Sequence, residues 1–173
     1  MRTLLLLSTI LIVSSCSTEE KKATEPVIMS SNNAEPGEWS TSFPSKRTDN
    51  AHSGRTVAVI DSATIYSLGY SKSLEDISKT KIDSVVFSYW IFLKDKKATA
   101  KTVISIDKPD NTKNLFWAGN PADEKVNEYN KWVHISESFK IPAGLDPKSI
   151  MKLYVWNTSK EEILLDDFKV EFY

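Results

Sequence analysis

The sequence predicts an all-β fold, a sandwich or a barrel, for most of its 173 residues. Three observations predict it. Short apolar runs recur, broken by Gly, Pro, Asn and Asp. Several of these runs alternate side-chain character with period two, the signature of a pleated strand. No segment sustains the 3.6-residue apolar period of an amphipathic helix; residues 70–79 allow one helical turn or two at most. Closely spaced short strands with turn signals between them belong to sandwiches and barrels.

The expected strands cover residues 55–60, 84–93, 99–107, 114–118, 131–141, 150–157 and 163–173. In the second, Val85, Phe87, Tyr89, Ile91 and Leu93 form a uniformly apolar set that should face the core. The other set, Val86, Ser88, Trp90 and Phe92, still carries two large rings. A sheet with one face in a core normally shows polar residues on the other, so this second face needs a cover or a ligand. In 150–157, Met151, Leu153 and Val155 form the core set, and Lys152, Tyr154 and Trp156 the outer one. If that strand neighbours 84–93, Trp90, Tyr154 and Trp156 share the outer face of one sheet. In 163–173 the even set is Leu164, Asp166, Phe168, Val170 and Phe172, which puts Asp166 on the apolar face and Asp167 on the wet one. A buried carboxylate needs N–H donors or a cation. A turn bonded to Asp166 and a bound calcium ion, which takes oxygen ligands, both satisfy that requirement.

Composition limits function. Hydrophobic residues make up 40% and charged residues 26%, an ordinary globular balance. Lys plus Arg total 22 and Asp plus Glu 23, so the net charge is −1, which excludes bulk nucleic acid as a partner. One cysteine excludes a disulfide framework and a cysteine-based zinc site.

The first residues read as a processing signal. Arg2 precedes an apolar run from Leu4 to Val13, then Ser14, Ser15 and the single Cys16. The run has the length of a signal-peptide core and is too short to span a bilayer. Val13-Ser14-Ser15-Cys16 resembles a bacterial lipobox. That resemblance implies cleavage of residues 1–15, diacylglycerol on the Cys16 sulfur, an acyl chain such as palmitate on its amine, and attachment to the membrane. Several chains anchor stably where one does not. Ser17 in place of aspartate favours the outer membrane, and Ser17-Thr18-Glu19-Glu20 looks like the acidic signals of surface lipoproteins. Residues 16–37 then read as a lipidated cysteine and a polar tether whose one apolar cluster is Val27-Ile28-Met29. The folded domain is expected over 38–173.

Several pieces of that domain resemble a known family. His52-Ser53-Gly54-Arg55-Thr56-Val57 precedes an early strand, and Ser88-Tyr89-Trp90-Ile91 lies mid-chain. Trp132-Val133-His134-Ile135 leads to Phe139-Lys140-Ile141-Pro142, and Leu153-Tyr154-Val155-Trp156-Asn157 precedes Leu165-Asp166-Asp167-Phe168. Their order is similar to the galactose-binding-like jelly roll of bacterial carbohydrate-binding modules, over about 38–173. The resemblance implies two facing antiparallel sheets, a core position for Trp132, and a structural calcium held by Asp166 with Glu38 and the turn at Ser53. It also implies that Trp90, Tyr154 and Trp156, joined by Trp117 from a hairpin, stack on sugar rings, with amides such as Asn114 or Asn157 for the hydroxyls. Tyr and Trp suit that role because a rigid, amphipathic ring meets the apolar C–H face of a pyranose. The same rings packed under the loops 61–80 and 108–131 would be structural.

Catalytic motifs are not evident. His52 and His134 form no HExxH pair, and there is no GxSxG elbow, phosphate loop or GxGxxG. The expectation is a non-catalytic, lipid-anchored envelope protein that binds glycan. The alternative is a structural module with an envelope protein partner.

Overall fold

The computed structural model describes residues 25–34, 39 and 44–173. Its strands are β1 (Ile28–Asn32), β2 (Ser45–Arg47), β3 (Thr56–Ile60), β4 (Tyr70–Ser73), β5 (Ser84–Leu93), β6 (Ala100–Asp107), β7 (Asn114–Pro121), β8 (Trp132–Lys140), β9 (Ile150–Asn157) and β10 (Ile163–Phe172). Among the described residues the one α-helical turn, α1 (Leu74–Ile77), is capped by Ser73, whose hydroxyl accepts from the Asp76 N–H. A six-stranded sheet runs β2-β3-β10-β5-β8, with β1 on the same flank of β10 as β3; a four-stranded sheet runs β4-β9-β6-β7. Every pairing is antiparallel. The chain has the two-sheet β-sandwich that the alternation and the resemblance predict.

The core lies between the sheets. Val85, Phe87, Tyr89, Ile91 and Leu93 of β5 are fully buried, as are Ile104 and Ile106 of β6 and Met151, Leu153 and Val155 of β9. The Tyr89 hydroxyl crosses the core to Thr102 Oγ1 at 2.6 Å. Burial pushes its phenol far up the pH scale, so it remains a neutral partner.

Four expectations are corrected. Residues 150–157 form β9 of the four-stranded sheet, not a neighbour of β5, because β9 pairs with β4 and β6. Trp90 therefore lies on the opposite outer face from Tyr154 and Trp156. In β10 the register shifts between Asp166 and Lys169, and Asp167 sits at φ 47°. This bulge reverses the alternation. The core set is Ile163, Leu165, Phe168, Val170 and Phe172, and Asp166 pairs with Trp90 on the outer side. Trp132 is also on that outer side, opposite Phe92, rather than in the core. Finally, Ile28–Asn32 is not tether. It is strand β1, paired along β10 from Phe172 to Phe168.

Both open flanks of the sandwich are closed by side chains. On the β1/β4 flank, Trp39 packs on Tyr70, Phe87 and Phe168, with its indole N–H donated to Ser30 Oγ at 2.8 Å. On the β7/β8 flank, buried Glu137 accepts from Asn120 Nδ2 at 3.0 Å and pairs with Lys125 Nζ at 2.5 Å.

Candidate functional site

The outer face of the four-stranded sheet can be built row by row from its register. Side chains directly opposite one another share a face. One row holds Trp156, Lys101 and Pro121; the next Tyr154, Val103 and Gly119; the next Lys152, Ser105 and Trp117. Thr102, Ile104 and Ile106 alternate to the core, so period two in β6 sets this face. Tyr66 joins from the loop before β4 through a bridge to Trp156, with the Asn157 N–H on Ile65 O at 2.8 Å and the Ser67 N–H on Val155 O at 2.9 Å. The chain then passes β9 closely at Gly69, where a Cβ would meet Leu153 O at 2.9 Å.

The rings form one surface. Tyr66 stands edge-on to Tyr154 at 5.4 Å and lies 6.3 Å from Trp156. Trp117 lies back across Gly119, whose missing side chain makes the space: a Cβ there would be 2.5 Å from the indole. Trp117 also hydrogen-bonds Tyr154, which favours the phenolate, but burial dominates and pushes the phenol up. Val103 is fully buried yet lies on this outer face, in the row between Tyr154 and Gly119. Trp117 is 46% exposed and Tyr66 51%, so the rings remain open to solvent. A groove of about 450 Å³ adjoins them, lined by Tyr66, Gly69, Ser71, Ser105, Lys152 and Tyr154, with Asp107 at its end. Burial pushes the Asp107 carboxyl up. Hydrogen bonds from Lys152 at 2.9 Å and Asn114 at 2.9 Å outweigh this and hold it below its ordinary value.

The structure thus brings together Tyr154, Trp156 and Trp117 and adds Tyr66 and Lys101, which sequence reading missed. Lys101 was legible in the alternation of β6. Tyr66 was not, because an isolated bridge leaves no periodic trace. The amides do not serve this face. Asn157 is buried, donates to Glu161 O and accepts from Ser159; Asn114 is engaged with Asp107, Ile106 O and Phe116 O.

Trp90 belongs to a second aromatic group, on the six-stranded sheet, and there the cover is the chain itself. The His52 ring stacks on Trp90 at 3.9 Å and 17°, and meets Trp132 edge-on at 5.9 Å. Trp132 donates its indole N–H to Asn50 O at 3.0 Å. His52 Nδ1 lies 2.5 Å from Asp167 Oδ2, and Ser53 Oγ donates to Asp167 Oδ1 at 2.5 Å. The hydroxyl and the imidazole share one carboxylate rather than one proton, so they do not form a nucleophile–base pair.

Solved structures with the same architecture are carbohydrate-binding modules. The CBM22-2 xylan-binding domain of Xyn10C from Paenibacillus barcinonensis superposes with a TM-score of 0.54 at 13% identity, covering 83% of this chain and 98% of that one. The CBM22-1–CBM22-2 tandem of Xyn10C gives 0.50 at 19% identity over 87% and 47%. The CBM22-1–GH10 modules of Clostridium thermocellum endo-1,4-β-D-xylanase 10B, complexed with xylohexaose, give 0.52 at 11% over 78% and 25%. The chain has the β-sandwich fold of carbohydrate-binding modules. It spans only a quarter of that xylanase chain. At these identities the likeness is one of fold. By sequence alone, the chain matches no protein-family model and no curated protein.

The calcium implied by the carbohydrate-binding-module resemblance can be tested on the residues present. Asp166 is fully buried, and its oxygens accept the N–H groups of His52 at 3.0 Å, Ser53 at 3.1 Å and Asp167 at 2.8 Å. Burial pushes its carboxyl up, and these donors oppose that shift. N–H dipoles aimed at the oxygens suit an anion without a cation, and Ser53 turns its hydroxyl to Asp167. Among the described residues no group of three His, Cys, Asp or Glu side chains converges as a metal site. The described donors do not fit calcium. Glu38 and Cys16 lie outside the described residues.

Proposed function

We propose that this is a non-catalytic glycan-binding protein of the cell envelope, that it reads glycan with the outer face of its four-stranded sheet, and that lipid on Cys16 holds it at the membrane. One observation carries the glycan reading. Tyr66, Tyr154, Trp156 and Trp117 come from three separate segments onto one solvent-facing sheet surface beside a groove. Pyranose rings stack on such surfaces through their C–H faces, while Lys152, Ser105 and Asp107 offer polar partners to hydroxyls. The carbohydrate-binding-module fold supports the same reading.

The test is binding to a panel of plant and bacterial polysaccharides by affinity electrophoresis. Trp117→Ala and Trp156→Ala should each weaken binding roughly tenfold, as loss of an aromatic anchor does. Tyr129→Ala, which removes an exposed ring outside this face, should leave it unchanged. Binding that survives both tryptophan changes would move the site elsewhere, and absence of binding across the panel would leave the face as a contact for a protein partner.

A further inference from the structure

One charge on the aromatic face has no counterpart. Asp107 is neutralised by Lys152 at 2.9 Å, and Lys152 also reaches Asn111 Oδ1 at 2.8 Å. Lys101 has no such partner. Among the described residues no carboxylate pairs with it, and its Nζ lies over the Trp156 ring, 6.0 Å from the centroid. Its neighbours across the sheet are Trp156 and Pro121, and Val103 follows on the same face, so the side chains flanking it on this face are uncharged. The face therefore presents stacked rings with one uncompensated cation beside the indole.

Resting on the reading of this surface as a glycan site, we propose that it selects carboxylated glycans, polysaccharides that contain uronic acid residues, with Lys101 as the residue that reads the carboxylate. A pyranose stacked on Trp156 lies about 4 Å above the ring. The carboxylate on its C5 is then brought toward the Lys101 ammonium, which lies 6.0 Å from the centroid of the same ring. A neutral sugar offers that ammonium only a hydroxyl. The indole displaces water from one side of the pair, which strengthens the attraction relative to free solution.

The experiment measures affinity for glucuronoxylan, polygalacturonate and alginate, each against its carboxyl-reduced twin of the same backbone. At least one acidic form should bind roughly fivefold more tightly than its twin, the scale of one partly exposed ion pair. High salt should narrow that gap. Lys101→Gln should bring the twins to equal affinity, and Lys101→Arg should preserve the preference. Reduced twins that bind as well as the acids would overturn this inference and leave the glycan face standing. A preference that persists in Lys101→Gln would overturn the role of Lys101. No binding to any of these polysaccharides or their twins would overturn this inference, and the reading beneath it falls with it only if the wider panel is negative too.

Discussion

Asp166 shows how far one side chain's surroundings can depart from its place in a pattern. Alternation puts it on the apolar face; the bulge at Asp167 turns it outward, and the turn at His52 and Ser53 then buries it. It collects three backbone N–H groups that would otherwise lack acceptors. Asp166→Ala should therefore cost about 2–3 kcal/mol in chemical denaturation, the penalty of orphaned buried donors. A chelator should leave the wild-type melting temperature unmoved. A chelator-induced drop that calcium reverses would show that a cation takes part after all. Trp90 illustrates a second limit. Its outward direction was legible in the sequence, but the stacking of His52 on its ring depends on a contact between residues 38 positions apart, which no local pattern encodes.

At the scale of elements, β1 changes where the domain begins. Polar composition over 17–37 suggested a tether, yet Val27-Ile28-Met29 was its one apolar cluster and β1 forms there. The strand is short, two of its five residues are exposed, and its partner lies at the other end of the chain, so local composition understates it. Ile28 packs against the core, and Ser30 receives the Trp39 indole N–H. A protein starting at residue 38 should be less stable than one starting at residue 25 by about 2–4 kcal/mol, from lost apolar burial and ladder hydrogen bonds. Equal denaturation midpoints would return this segment to the tether. Strands β2 and β4 escaped sequence reading for the same reason: they are three and four residues long, at sheet edges. The long strands β5, β9 and β10 were found nearly to the residue, because ten, eight and ten positions give alternation room to show.

The whole molecule is a sandwich sealed at its flanks by Trp39 and by the Glu137 cluster, with two chemically different outer faces. One is covered by the chain's own 48–55 turn; the other is open, aromatic and cationic at Lys101. Its attachment follows from the proposed lipid on Cys16. Residues 17–26 reach at most about 35 Å when fully extended, so the domain would work close to the membrane. Cys16→Ala should move the protein from the membrane fraction to the soluble fraction while thermal stability stays the same. A variant that remains membrane-bound would show that something other than this cysteine holds it.

Strand sidedness is local. Successive side chains point to opposite faces, so the core set of β5 and the outer set of β9 could be read from neighbouring residues. Sheet membership is not local, since it depends on which distant strand completes each ladder of hydrogen bonds. That pairing separated Trp90 from Tyr154 and Trp156, carried Tyr66 to their side, and let one added residue in β10 reverse a face that period two alone had assigned.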